Sequence, residues 1–257
     1  MNNILRASAR VALAALIFLA LPAASYAQLK VIMSGGFSAA YKQLIPEFER
    51  TSGITVTTTS GASMGDGPNT IPNQVRRGVP ADIIILSRDG LADLIKERKT
   101  IPGTDTDLAR SLQGMVVRTG APRPDISTVD AFKQTLLRAN GIAATSSTGG
   151  VWLSTVLIQK LGIADQVKDK IKFTAAPSVA KGENEIAIQQ VSELLGVPGV
   201  DYIGTLPEGV QLVTTYAAAI VEGSKEIENA KKLIAFLTAD AAGPAIKKSG
   251  MEQPKKR

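Results

Sequence analysis

From Leu29 onward, short β-rich runs alternate with helix-length amphipathic segments, and this alternation constrains the chain more than any other feature. The β-rich runs are Lys30–Met33, Ile54–Thr58, Asp82–Leu86, Gly114–Arg118, Ile142–Thr145, Lys172–Ala175, Glu185–Ile188 and Asp201–Ile203. A longer one spans Val210–Ala219. Helical periodicity covers Phe37–Thr51, Ile71–Arg77, Gly90–Glu97, Thr128–Ala139, Gly150–Leu161, Gln166–Lys170, Lys225–Thr238 and Ala241–Lys248. Strands interleaved with helices predict an α/β architecture of mostly parallel sheets flanked by helices. Ser127, with Asp130 three residues on, reads as a helix cap. No fixed-period repeat and no low-complexity linker interrupts the pattern.

Three of the strands end in turns made of hydroxyl residues and glycine. Leu29–Met33 runs into Ser34-Gly35-Gly36-Phe37-Ser38 and then a helix with apolar residues at Phe37, Ala40, Tyr41, Leu44, Ile45 and Phe48. Ile54–Thr58 runs into Ser60-Gly61-Ala62-Ser63-Met64-Gly65, and Gly141–Thr145 into Ser146-Ser147-Thr148-Gly149-Gly150. A strand, a small-residue turn and a helix leave backbone N–H groups free at the positive end of the helix dipole, which suits an anion. Repeating the device three times suggests one small ligand gripped from several sides.

Two crossings are expected between lobes, one near Leu108–Gln113 and one near Leu206–Leu212. The run after the second crossing leads into two helices with no further strand to pair with, so these should pack back on the first lobe. The expected division is 28–110 and 213–257 for one lobe and 111–212 for the other. Ligands in such sheets sit beyond the carboxyl ends of strands.

The first 27 residues read as a secretory signal. Arg6 and Arg10 precede an apolar block from Val11 to Leu21, followed by Pro22 and the small-residue stretch ending at Ala27. Cleavage after Ala27 would leave a protein in the periplasm. The chain has no cysteine, so no residue is available for lipidation or a disulfide. Its formal net charge of +6 includes the two signal arginines. Lysine and arginine are scattered and aromatics make up 4%, so no basic–aromatic surface for nucleic acid stands out. A monomer is expected.

Catalytic motifs fail for want of partners. Gly61-Ala62-Ser63-Met64-Gly65 matches a nucleophile elbow, but with no histidine in the chain a Ser-His-acid triad cannot form. Ser178-Val179-Ala180-Lys181 matches Ser-x-x-Lys without its companion motifs. Without Cys or His, only carboxylates could hold a metal, and Asp105-Thr106-Asp107 and Glu183-Asn184-Glu185 lack calcium-loop spacing. No phosphate-loop or dinucleotide fingerprint is present, so no cofactor and no metal are expected. Recognition by neutral donors, without turnover, fits best.

Ser34–Phe48, Pro80-Ala81-Asp82-Ile83-Ile84-Ile85, Gly149–Gly162 and Tyr216–Glu222 together resemble the periplasmic molybdate-binding protein family, and more closely its divergent members. The similarity spans essentially the whole chain after the signal. It implies a two-lobed type II periplasmic binding fold that presents a ligand to the permease of an ABC importer in the inner membrane. The family's first-turn serine falls on Gly36, with Ser34 and Ser38 on either side. Its second serine cluster falls on Ser60–Ser63, followed by the insertion Gly65–Thr70. The helix-start amide falls near Gly149, a second-lobe amide near Val179, and the ligand-binding tyrosine on Gln190. The candidate ligand-binding residues are therefore Ser34, Gly35, Gly36, Phe37, Ser60, Ser63, Met64, Asn69, Ser147, Thr148, Gly149, Val179 and Gln190.

The departures carry chemistry. A tetrahedral oxyanion only accepts hydrogen bonds, whereas Gln190 brings an acceptor as well as donors. Together with Asn69 and Thr70 in the inserted loop, this points to a less symmetric anion such as a small organic carboxylate. Molybdate, tungstate or sulfate is the alternative within binding, and a ligand-sensing module for a membrane signalling protein the alternative of another class. Trp152 could wall the pocket, and Arg88, just past a strand end, is placed to reach a carboxylate.

Overall fold

The computed structural model describes residues 28–254. Residues 1–27, where the sequence predicts a secretory signal, and the last residues, 255–257, lie outside the described residues. Ten strands are present among them: β1 (Gln28–Ser34), β2 (Thr55–Gly61), β3 (Ile83–Ser87), β4 (Thr106–Arg118), β5 (Ile142–Ala144), β6 (Ile171–Phe173), β7 (Ile186–Gln190), β8 (Val200–Thr205), β9 (Val213–Ile220) and β10 (Met251–Glu252). The helices are α1 (Ser38–Ser52), α2 (Ile71–Arg76), α3 (Arg88–Lys96), α4 (Val129–Arg138), α5 (Thr148–Trp152), α6 (Ile158–Lys160), α7 (Ala164–Val167), α8 (Pro177–Ala180), α9 (Val191–Leu194), α10 (Ile227–Thr238) and α11 (Gly243–Lys248).

The strands run in the order β2-β1-β3-β9-β4-β7-β5-β6, with β8 and β10 both paired to β4. The outer pairs β1–β2, β1–β3, β5–β6 and β5–β7 are parallel, while every pair involving β4 or β9 is antiparallel. The helix-flanked α/β arrangement is the one the alternating pattern predicts, but the sheet is mixed and curled where mostly parallel sheets are expected, with five antiparallel pairings against four parallel ones. The antiparallel centre follows from connectivity, since the two crossing strands enter each lobe against the direction of its parallel set.

Strand β4 is the hinge of this layout. Its residues Thr106–Leu112 face β9, and from Gln113 onward it faces β7, with β8 joining from Gly114. The sequence predicts only Gly114–Arg118 as strand; the earlier half alternates weakly (Leu108, Ala109 and Ser111 buried, Arg110 exposed) and is extended because β9 pairs with it. Each end of β4 belongs to its own core. Leu29, Val31, Phe37, Phe48, Ile83, Ile85 and Leu108 pack with Leu233, Leu237 and Ile246 of α10 and α11. Met115, Phe132, Leu136, Leu153, Leu157 and Ile188 form a separate core in the second lobe. Burying such side chains contributes about 1.5–3 kcal/mol each.

Several element boundaries differ from expectation. The cap of α4 is Thr128, whose hydroxyl accepts Ala131 N–H at 3.1 Å, while Ser127 N–H donates to Asp125 Oδ1 at 2.8 Å. Ser127 is thus held by the preceding Asx turn and the helix begins one residue later. The expected helix Gly150–Leu161 starts at Thr148 and contains a π-turn over Leu153–Leu157. The short elements α8, α9 and β10 lack a periodic signal because none completes two turns or two pleats.

Candidate functional site

The turns after β1, β2, β3 and β5 converge where the two lobes meet. Ser63 is buried; its Oγ accepts the N–H of Ser87 at 3.0 Å, and its own N–H donates across the cleft to Ser147 Oγ at 3.3 Å. Thr148 Oγ1 donates to Ser87 Oγ at 3.0 Å, a second bond between lobes. Ser87 also caps α3, accepting from Gly90 N–H. The Gly35–Phe37 turn forms the opposite wall, and the carbonyl of Gly36 accepts from Ser192 Oγ at 2.6 Å.

Two glycines are dictated by close approach. A Cβ on Gly36 would stand 1.7 Å from the hydroxyl of Tyr216, so the tyrosine occupies the space a serine would fill there. A Cβ on Gly149 would lie 2.3 Å from Nε2 of Gln113. Gln113 and Gln190 are directly opposite in the β4–β7 pairing, which puts their side chains on one face of the sheet. Both are buried. Neither Nε2 nor Oε1 of Gln113 has a hydrogen-bond partner, and Gln190 donates to Thr214 Oγ1 at 2.6 Å while its Oε1 is unpartnered. Such orphans cost about 1–3 kcal/mol each when left unsatisfied, so these two amides are polar groups that a molecule held between the lobes would pair with.

Glu193 closes the ring. It is half-buried, with Oε2 shielded from solvent and unpartnered, and its Oε1 lies 3.4 Å from where a Cβ would stand on Gly35. Desolvation pushes its carboxyl up from the ordinary 4.5 to about 7, only partly offset by hydrogen bonds from the Gln190 backbone and the Gln189 side chain. Tyr216 is raised well above 10 by burial and by the neighbouring Glu193, so its phenol stays neutral.

Of the sequence-derived candidates, Ser34, Gly35, Gly36, Ser63, Ser147, Thr148, Gly149 and Gln190 are gathered at this junction. Met64 is half-buried beside Ser63. Phe37 is fully buried in the first-lobe core, its ring centroid 6.5 Å from that of Tyr216, so only its backbone belongs to the turn. Ser60 and Asn69 are exposed, and their carbonyls both accept from Gln74 Nε2. Val179 packs in a small core with Val116, Ala143 and Ala187, and its N–H is used by the carbonyl of Ala176 at 2.9 Å. Arg88 is held by Asp105 at 2.6 Å and by Asp107. Trp152 is half-buried against the second-lobe core.

Gln113, Glu193, Tyr216 and Ser87 were not legible as site residues. The one available signal was polarity out of place: Gln113 beside Gly114 at a crossing, and Glu193 three residues after Gln190. A surface groove of about 860 Å³ is lined by Lys30, Asp82, Arg98 and Glu222, among others. Because Lys30 and Asp82 stand at or just before the amino-terminal ends of β1 and β3, it lies at the wrong end of the strands for a ligand in this fold.

Two lobes joined by strand β4 and by the segment 206–212 that leads into β9, with hydroxyls, amides and glycine turns facing each other between them, define a solute-binding clamp. The chain belongs to the bacterial extracellular solute-binding protein family, whose sequence model matches residues 29–252. It is 36% identical over 228 residues to an aconitate isomerase from Pseudomonas sp, covering 87% of this chain and 87% of that protein. It is 23% identical over 236 residues to the molybdate-binding protein of Escherichia coli (strain K12), covering 87% and 88%. Among solved structures it resembles the periplasmic molybdate-binding protein of Azotobacter vinelandii, with a TM-score of 0.71, 19% identity, and coverage of 88% of this chain and 100% of the other. It shares the type II fold with the molybdate-binding protein it resembles.

Proposed function

We propose that this protein captures a small organic polycarboxylate between its lobes in the periplasm, after removal of residues 1–27, and presents it to the permease of an ABC importer. In this reading residues 28–110 and 213–257 form one lobe and 111–212 the other. The ligand lies against Ser34–Gly36, Ser63, Ser147–Gly149, Gln113 and Gln190. The observation that carries the reading is the pair of facing amides, Gln113 and Gln190, with unpartnered buried oxygens as well as donors. An all-accepting oxyanion leaves those oxygens unpaired, whereas a ligand with hydroxyl or protonated groups can satisfy them. The similarity to an aconitate isomerase supports a polycarboxylate on separate grounds, since fully ionised aconitate is a tricarboxylate with no hydroxyl to offer those oxygens, which a hydroxylated or partly protonated acid would satisfy.

That relative also favours a second reading, in which the clamp isomerises the acid it holds instead of binding it without turnover. Incubating the protein with either geometric isomer of aconitate and following the other by NMR separates the two. The ligand class itself is tested by thermal shift against carboxylates and oxyanions. A ligand that binds only the folded chain stabilises it by about 2.7 kcal/mol at roughly a hundredfold excess over Kd. Stabilisation by aconitate and not by molybdate or sulfate is expected; the reverse order would reject the reading.

A further inference from the structure

We infer that Glu193 contacts the bound anion as a neutral acid, donating its proton to a ligand oxygen, so that the protein takes up one proton with each ligand. This rests on the carboxylate reading above and deepens it. The geometry sets the argument. Glu193 reaches from α9 in the second lobe to the Gly35–Gly36 turn of the first, with Oε1 3.4 Å from the Cβ position of Gly35. Oε2 is shielded from water and has no partner. The helical turn that starts at Gly35 leaves its first N–H groups without intrahelical partners, and donors of that kind draw an anion in. Two carboxylates side by side in a water-poor cleft repel strongly unless a proton sits between them.

Among the described residues no cation acts on the Glu193 carboxyl to relieve that repulsion. Around Glu193 stand the Gly35–Phe37 turn, the start of α1, and strands β4 and β7, with Tyr216 reaching in from β9. The hydrogen bonds to its carboxyl come from Gln189 and Gln190, which are neutral. The Tyr216 phenol, whose own ionisation is opposed by its burial and by the Glu193 charge, is neutral at physiological pH. Arg88 is tied to Asp105 and Asp107 instead. A proton is therefore the counter-ion available, and the raised carboxyl makes it inexpensive to hold near neutrality.

The test is titration calorimetry of the mature protein with trans-aconitate, whose carboxyl groups are all ionised above about pH 7.5. It is run at about pH 8 in two buffers of different ionisation enthalpy, then repeated up to about pH 9. The expected result is uptake of nearly one proton per ligand and a Kd that rises about tenfold per pH unit. Glu193→Gln, which keeps the shape and a donor, is expected to bind with no proton uptake and a flat pH profile. Wild-type binding without proton uptake, or uptake that survives in Glu193→Gln, overturns the inference and leaves the carboxylate reading standing. No binding heat from the tricarboxylate overturns both.

Discussion

Thr148 of the second lobe donates its hydroxyl proton to Ser87 of the first at 3.0 Å, and Ser87 at the same time receives the backbone of Gly90 at the start of α3. Closure of the cleft is thus tied to the residue that holds Ser63 in place, because Ser87 N–H is also the donor to Ser63 Oγ. With the ligand placed as proposed, its affinity and the lobe contact depend on one short chain of hydroxyls.

Thr148→Val removes this bond at nearly constant volume. A net loss of about 0.5–1.5 kcal/mol is expected, seen as a Kd roughly threefold to tenfold weaker by calorimetry. Ser146→Ala, at an exposed neighbour, should leave Kd unchanged.

Gly90→Ala should act on the site from below. Its Cβ would stand 2.2 Å from the carbonyl oxygen of Ser63, a backbone atom that cannot yield without moving the Ser63 turn. A stability loss of about 1–3 kcal/mol and at least a tenfold weaker Kd are expected. Gly67→Ala, where nothing lies within 4 Å, is the matched control and should change neither in denaturant melts or titration.

Gln113→Leu should move stability and affinity in opposite directions. It removes two unpartnered buried polar atoms, so the ligand-free protein should melt at an equal or higher temperature. The same change deletes a donor and an acceptor from the cleft, and binding should weaken by about ten- to a hundredfold. A variant that loses stability and keeps its affinity would place the amide in a structural role.

The ligand-free protein should also lose stability with rising pH through Glu193. Its folded pKa of about 7 lies above the ordinary 4.5, so the folded state binds more protons between these values and unfolding free energy falls as pH rises. The contribution is complete below about 4.5 and gone above about 7, a span worth on the order of 3 kcal/mol. Glu193→Gln should flatten that stretch of the urea-denaturation profile and be the more stable chain at about pH 8.

The parts of this arrangement that were legible in the sequence are those written locally. The Ser34–Gly36 and Ser146–Gly150 turns announce themselves through small residues between a strand and a helix, and the α1 stripe from Phe37 to Phe48 through its spacing. Gln190 could be singled out by alignment to a family motif. Gln113 and Glu193 could not, because their meaning comes from partners far along the chain: Gln113 from its pairing with Gln190 and its contact with Gly149, Glu193 from its reach to Gly35. Val179 shows the reverse case, since a position set by alignment in a short helix carries an N–H already donated to the carbonyl of Ala176.

Calorimetric titration of the mature protein with aconitate, molybdate and sulfate in parallel tests the central claim most directly. Saturable binding of aconitate with a Kd of about 10 µM or tighter, and no heat from either oxyanion, is the predicted result. Tight binding of molybdate or sulfate with aconitate silent would contradict it.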